Sequence, residues 1–217
     1  MRANQVRRQA GFTLLEVTIS AAILSVVMGA VAVFQQRSQA ATSDMLIRAH
    51  TEREARSALD RVAEELTGVG LHQLTPDPTS TAGSETITYQ KPLSVSAAGV
   101  VTWSTSSRIA LVMDDGESNN GVDDDGDGLI DERKLVLTRN LGLGSQRVVT
   151  LVHGLPELVP GESANVVDDN GNGVVDERGF NVQRTGDLVT LRLCLQRRAK
   201  AGNTITVYAH TAVVLHN

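Results

Sequence analysis

The sequence has few of the residues that commonly make a small domain rigid. It contains one cysteine, Cys194, so no disulfide can form within the chain. Aromatic residues are only 3% of the composition, and the core must therefore rest on Val, Leu and Ile. Cys194 falls in an alternating run, 191–195, which predicts it on the less buried face of a strand. Without disulfides, long loops need another means of fixation, and a bound metal ion is one candidate.

Motifs that carry catalysis are also lacking. The five histidines have no zinc-like spacing to one another or to Cys194. They are His50, His72, His153, His210 and His216. No Gly-x-Ser-x-Gly elbow, phosphate loop or dinucleotide fingerprint occurs, so we predict that the protein is not an enzyme. The net charge of -5 makes nucleic acid an unlikely partner.

The longest apolar run lies near the N-terminus. Residues 12–34 contain one ionisable side chain, Glu16, and as a helix they would cover roughly 35 Å, enough to cross a bilayer core of about 30 Å. Arg2, Arg7 and Arg8 precede the run and predict a cytoplasmic N-terminus.

A secretory signal peptide is the alternative interpretation of this run. Ala30, Val31 and Ala32 form a small-x-small cleavage site, which would release a secreted calcium-binding protein beginning at Val33. This alternative leaves Glu16 unexplained, because a carboxylate inside a membrane helix costs roughly 2.5–3.5 kcal/mol.

The helical pattern continues beyond the apolar run. No proline occurs before Pro76, and residues 35–70 predict an amphipathic stalk helix with an apolar stripe: Leu59, Val62, Leu66 and Val69. Arg61 and Glu65 have the four-residue spacing of an exposed ion pair, and Gly68 or Gly70 is expected to end the helix. A helix from 12 to 67 would be roughly 84 Å long, more than a signal peptide requires.

The segment Gly11-Phe12-Thr13-Leu14-Leu15-Glu16-Val17, between a basic leader and an apolar helix, resembles the type IV pilin signature. The resemblance implies that prepilin peptidase removes residues 1–11 and methylates the amine of Phe12. It also implies that Glu16 pairs with the terminal amine of a neighbouring pilin or pseudopilin. The chain would then cross the bacterial inner membrane once, with a periplasmic head.

Residues 53–66 resemble the stalks of PilW-like minor pilins and J-type pseudopilins. This resemblance implies a minor subunit of a type IV pilus or type II secretion filament, acting in initiation or tip assembly. A DNA-uptake pseudopilin is an alternative with the same N-terminus.

Residues 71–217 change to short alternating or β-branched runs, which predict a mainly antiparallel β-sheet head. The predicted strands are 86–90, 100–103, 108–113, 134–138, 147–152, 188–195 and 204–215. Together with the helix they predict an α+β fold.

Two segments of the head repeat at an offset of 45 residues. Residues 117–133 align without gaps on residues 162–178, and 11 of the 17 positions are identical. In the first copy, oxygen ligands alternate around Gly128, as in the Asp-x-Asp-x-Asp-Gly half of an EF-hand loop, which both copies resemble. The twelfth-position glutamate of an EF-hand would fall at Lys134 and Gly179, so a neighbouring acid must substitute.

The sequence therefore predicts one Ca²⁺ ion in each loop. The predicted ligands are Asp123, Asp125, Asp127, Asp131 and Glu132 in the first loop, and Asp168, Asn170, Asn172, Asp176 and Glu177 in the second. We expect the first loop to bind more tightly because it carries more charge. Two acidic surface turns without an ion are the alternative. However, 14 of the 18 acids after Gly68 lie in two short segments, residues 114–132 and 162–177, and such crowding is repulsive.

Overall fold

The computed structural model describes residues 13–79, 82–200 and 202–215. Residues up to Ser43 and residues from Asp44 onward form two compact units. One long helix and ten antiparallel strands confirm the predicted α+β fold.

Helix α1 runs from Leu14 to Leu66. Its first turn is closed by a capping box, in which the Thr13 N–H donates to Glu16 Oε2 at 2.9 Å and the Glu16 N–H donates to Thr13 Oγ1 at 3.2 Å. At the other end, Gly68 adopts a φ of +83°, which favours glycine, so the predicted helix stop is confirmed.

The first compact unit contains the apolar part of α1, whose side chains are exposed. Polar side chains there bond within the helix: Thr18 Oγ1 donates to the carbonyl of Leu15 and Ser25 Oγ to that of Ala22. Within the described residues, α1 is the helix long and apolar enough to cross a membrane.

The second compact unit holds the strands in three sheets. The strands are β1 Leu74–Thr75, β2 Thr86–Tyr89, β3 Pro92–Val95, β4 Val101–Trp103, β5 Ser107–Met113, β6 Arg133–Arg139, β7 Arg147–Leu155, β8 Phe180–Thr185, β9 Leu188–Arg198 and β10 Thr204–Val214. The sheet orders are β1-β2-β5-β6-β7, β10-β9-β8 and β3-β4. A bridge between Ser84 and Val182 connects the β2 side of the first sheet to β8.

All seven predicted strands are present, and β1, β3 and β8 are additional. Strand β8 was missed because its polar residues hide the alternation. Asn181 is 3% exposed, and its side-chain amide donates to the carbonyl of Ala82 at 2.7 Å. A tertiary hydrogen bond thus permits a polar residue in a buried strand.

The C-terminal part of α1 supplies one side of the hydrophobic core. The predicted apolar stripe, Leu59, Val62, Leu66 and Val69, is buried in the same cluster as residues from both larger sheets, such as Ile109. The head therefore needs the helix to complete its core.

The predicted exposed pair between Arg61 and Glu65 is wrong, because Arg61 bonds to Glu64 instead. The Glu65 side chain is 8% exposed and lies among sheet residues. It accepts hydrogen bonds from Tyr89 Oη and Lys91 Nζ, both at 3.1 Å, and from Arg139. Helix spacing does not reveal these partners, which are distant in sequence.

We predict that Leu66→Ala lowers the free energy of unfolding by about 2–5 kcal/mol, because it leaves a cavity in a fully buried site. Leu46→Ala, at a 67% exposed position of the same helix, should change it by less than about 0.5 kcal/mol. Denaturant unfolding of the full chain in detergent measures both. Equal changes in the free energy of unfolding for the two variants would contradict the burial of Leu66 in the core.

A second prediction concerns the pH dependence of Glu65. Burial raises the pKa of Glu65, but hydrogen bonds from Arg139 and Lys91 outweigh burial and hold the pKa below its ordinary value. Its stabilisation is therefore present above the unfolded pKa of about 4.3 and is lost as the pH falls through the lower folded pKa.

At pH 7, Glu65→Gln should cost about 1–2 kcal/mol, since Lys91 and Arg139 are partly exposed and solvent screens the pairs. The difference in free energy of unfolding between wild type and Glu65→Gln should become smaller below about pH 4. Glu64→Gln, at a 72% exposed position, is the matched control. Thermal melts at several pH values measure this difference. A difference that does not change with pH would contradict stabilisation by the ionised Glu65.

Candidate metal centre in the repeated loops

The two repeated segments leave the same end of the five-stranded sheet. The first joins β5 to β6, and the second lies in the connection from β7 to β8. Met113 pairs with Arg133, and Arg133 pairs with Leu155, so the strand ends that carry both loops are neighbours. Strand register therefore brings the repeats together.

One aspartate organises each loop through its backbone. In the first loop, the N–H of Gly126 donates to Asp123 Oδ1 at 2.6 Å, and the N–H of Gly128 donates to Asp123 Oδ2 at 2.9 Å. The second loop repeats both bonds at 2.7 and 2.8 Å through equivalent residues: Asp168, Gly171 and Gly173. The shared sequence thus produces a shared turn.

Asp131 and Asp176 connect the C-terminal end of each loop to its N-terminal turn. Asp131 accepts hydrogen bonds from the backbone N–H groups of Asn120 and Gly121, and Asp176 accepts the equivalent pair in the second loop. Within the described residues, neither belongs to a cluster of potential metal ligands. In the structure, these two predicted ligands therefore accept hydrogen bonds from the backbone of their own loops.

The carboxylates of the first loop form two overlapping clusters. Glu117, Asp125 and Glu132 have carboxylate oxygens within 4.8 Å of one another, and so do Asp123, Asp125 and Asp127. Ligands on opposite sides of one Ca²⁺ ion have comparable separations, because each Ca–O distance is about 2.3–2.6 Å. We call these five residues the first-loop cluster.

Two members of the first-loop cluster are buried with an oxygen that has no hydrogen-bond partner. Glu117 is 8% exposed and Glu132 is 3% exposed, and Oε2 of each is unpartnered. Burial raises the pKa of Glu132 to about 7, and the charges of Asp127, Glu117 and Asp125 add to the rise. A bound cation would satisfy both unpartnered oxygens.

Acids at the start of the first loop have basic side chains as partners. Lys134 pairs with Asp115 and lies 4.0 Å from Asp114, and His153 Nδ1 lies 2.8 Å from Asp114 Oδ1. By contrast, the described residues place no lysine, arginine or histidine nitrogen within 4.0 Å of the first-loop cluster's carboxylate oxygens. Its charge is therefore not neutralised by the ion pairs of the described chain.

The second loop has the same backbone but a different set of side chains. Asn170 and Asn172 replace Asp125 and Asp127, so the equivalent positions carry fewer charges. The Asn172 amide donates to Glu177 Oε2 at 2.6 Å. Burial raises the pKa of Glu177, while this hydrogen bond and the charge of Arg192 oppose the rise.

Val166 marks a further difference between the loops. It adopts a φ of +63° at the position where the first loop has Gly121. A β-branched residue is strained in this region, and the Asp176 carboxylate, accepting the Val166 N–H, helps hold it there.

The last residue of each repeat is an arginine, and both arginines bind the same carboxylate. Arg133 and Arg178 donate to Oε1 of Glu157 at 3.0 and 3.1 Å. Because each arginine directly follows a buried glutamate of its own loop, Glu157 connects the bases of the two loops.

The structure adds Glu117 and its equivalent Glu162 to the candidate ligands. The Glu117 carboxylate accepts the N–H groups of Asp124 and Asp125 through Oε1, which leaves Oε2 for an ion. Both glutamates open the aligned repeats, and this identity at the first position was the available signal. The EF-hand pattern contains only later positions of the repeat and does not include these two glutamates.

Of two other sequence predictions, the one for Cys194 is wrong, and the roles of Gly11, Phe12 and Glu16 stay predictions. Cys194 is 2% exposed, so its placement on a less buried face is wrong, and burial raises the pKa of its thiol to about 12. Glu16 is positioned at the start of α1 by its capping contacts, while Gly11 and Phe12 lie outside the described residues.

Residues 6–32 match a family model described as the prokaryotic N-terminal methylation motif. The match confirms the predicted type IV pilin-like prepilin leader. Together with the apolar helix, it supports a membrane-anchored pilin-like or pseudopilin-like subunit that assembles with other pilins. Proteins with this motif are structural rather than enzymatic, in agreement with the prediction.

Searches of curated proteins and of solved structures found no match to this chain.

Proposed function

We propose that the chain is a minor pilin or pseudopilin of a type IV pilus or type II secretion filament. After prepilin peptidase cleaves between Gly11 and Phe12, the apolar helix holds the subunit in the bacterial inner membrane with its head in the periplasm. From there it joins a filament through contacts of its helix with other pilins, at initiation or at the tip.

One observation carries this proposal: residues 14–32 of the methylation motif lie in helix α1, and the C-terminal part of the same helix lies in the core of the head. Cleavage after Ala32 would cut this helix in two, whereas cleavage after Gly11 keeps the whole of α1 attached to the head. The fold thus favours the leader that prepilin peptidase removes.

The stalk resemblance at residues 53–66 supports a minor subunit. Because the resemblance is to minor pilins and J-type pseudopilins, the proposal also places the subunit at the start or tip of the filament.

We further propose that Ca²⁺ binds the first-loop cluster and stabilises the head. Ca²⁺ takes six to eight oxygen ligands, and the cluster supplies five carboxylates, two of them buried with unpartnered oxygens. Desolvated carboxylates without cationic partners destabilise the folded chain, and a divalent ion converts that repulsion into attraction.

Glu16 provides the test of filament assembly. Glu16→Ala removes both its charge and the capping box, whereas Glu16→Gln keeps a side-chain oxygen for the cap and removes only the charge. Because an intramembrane carboxylate is costly unless paired, we expect both variants to be reduced at least about tenfold in sheared filaments.

The control for Glu16 is processing. Both variants should still yield a mature chain that begins with N-methylated Phe12, measured by mass spectrometry of the N-terminus. Normal incorporation of Glu16→Gln would assign Glu16 to helix capping and contradict a pairing role. A mature chain that begins at Val33 would contradict the proposed filament subunit and support a secreted protein.

The calcium proposal predicts a shift in thermal stability. For the full chain in detergent, Ca²⁺ at 100 times its Kd should add about 2.7 kcal/mol to the free energy of unfolding. This corresponds to a rise of about 5–10 °C in Tm, which excess chelator should reverse. Differential scanning calorimetry measures it.

Glu117→Gln should abolish most of this shift, because it removes a buried ligand charge. Asp124→Asn makes the same charge change in the same loop, at an exposed residue outside the cluster, and should retain the shift. A Tm indifferent to Ca²⁺ and to chelator would leave the loops as solvated acidic turns.

A further inference from the structure

We infer that the two repeated loops are closed by different means: an ion closes the first loop, whereas the side-chain amide of Asn172 takes the place of the ion in the second. The inference rests on the proposed binding of Ca²⁺ to the first-loop cluster. It departs from the sequence prediction of one ion in each loop.

The Asn172 side chain has a fixed orientation in the second loop. Its Oδ1 accepts the N–H of Val174 at 2.9 Å, so Nδ2 is the atom that points to the buried carboxylate of Glu177. The Nδ2···Oε2 distance of 2.6 Å joins a donor to an acceptor. Oε2 of Glu177 is therefore satisfied from within the chain.

The first loop has the same geometry but cannot make this bond. Asp127 Oδ1 accepts the N–H of Leu129 at 2.8 Å, as Asn172 does in the second loop. The other terminal atom of Asp127 is a second oxygen, which donates nothing when ionised and repels the equivalent glutamate, Glu132. Oε2 of Glu132 is accordingly buried without a hydrogen-bond partner among the described residues, and a cation would satisfy it.

The number of carboxylates in each loop also supports different closure of the two loops. The first-loop cluster has five carboxylates, whereas the equivalent positions of the second loop have three: Glu162, Asp168 and Glu177. Glu162 also has an unpartnered Oε2, but its side chain is half-buried and its neighbours Asn170 and Asn172 are neutral. The second loop therefore lacks most of the repulsion that an ion would relieve.

The residue at position 127 of the first loop, or 172 of the second, thus decides what satisfies the buried glutamate of that loop, and the residue at 125 or 170 adds to the difference in charge. Calcium depletion would loosen the end of the head at the first loop and leave its neighbour folded. The second loop would then act as a permanent support, connected to the first through the shared contact of Arg133 and Arg178 with Glu157.

The experiment uses the full chain in detergent, with Ca²⁺ itself as the probe. Equilibrium dialysis should give one bound ion per chain, and Glu132→Gln should remove it. Hydrogen exchange measured with and without chelator should increase by at least about tenfold in residues 117–133 and stay unchanged in residues 162–178.

Reciprocal substitutions test the position directly. Asn172→Asp should create a second Ca²⁺ site and make exchange in residues 162–178 sensitive to chelator. Asp127→Asn should weaken the single site by at least about tenfold and reduce the chelator effect in residues 117–133. The reciprocal pair keeps the test decisive if one variant fails to fold.

The outcomes separate the inference from the proposal beneath it. No bound ion in the wild-type chain would overturn the calcium proposal itself. Two bound ions, one bound ion that survives Glu132→Gln, or chelator-sensitive exchange in residues 162–178, would leave calcium binding in place and overturn the different closure of the two loops.

Discussion

A cluster of carboxylates without ion-pair partners among the described residues is the constraint on which the account of this structure depends. Glu117 and Glu132 are buried with unpartnered oxygens, and three further carboxylates of the same cluster lie beside them. This arrangement is costly to the folded state, and protonation or a bound cation would remove the repulsion. Since the backbone of the loop is already fixed by Asp123 and Asp131, the proposed ion would serve to balance charge rather than to set the chain direction.

The helix imposes a second constraint, because the same element serves the filament and the head. Its N-terminal part carries the methylation motif, while its C-terminal part contributes Leu59, Val62 and Leu66 to the core. Glu65 adds a polar attachment to Tyr89, Lys91 and Arg139. Together, these contacts make the part of α1 that follows Asp44 an integral part of the head.

Patterns with local causes could be predicted from the sequence. The long helix, its end at Gly68 and the shared turns of the repeats all follow from residues close together in the chain. Features that depend on distant partners could not be predicted. The helix spacing predicts an exposed Glu65, but its partners lie in β2 and β6 and beside β3. The polar sequence of strand β8 does not predict a buried strand, because Asn181 is satisfied by the distant carbonyl of Ala82.

The most direct measurement of the central claim is the position of calcium in crystals of the protein grown with Ca²⁺. Anomalous scattering should show one peak, about 2.3–2.6 Å from carboxylate oxygens of the first-loop cluster, including Glu117 or Glu132. The second loop should show no peak and should retain the Asn172–Glu177 hydrogen bond. A first-loop cluster without a peak, at Ca²⁺ concentrations that saturate binding in solution, would contradict the account.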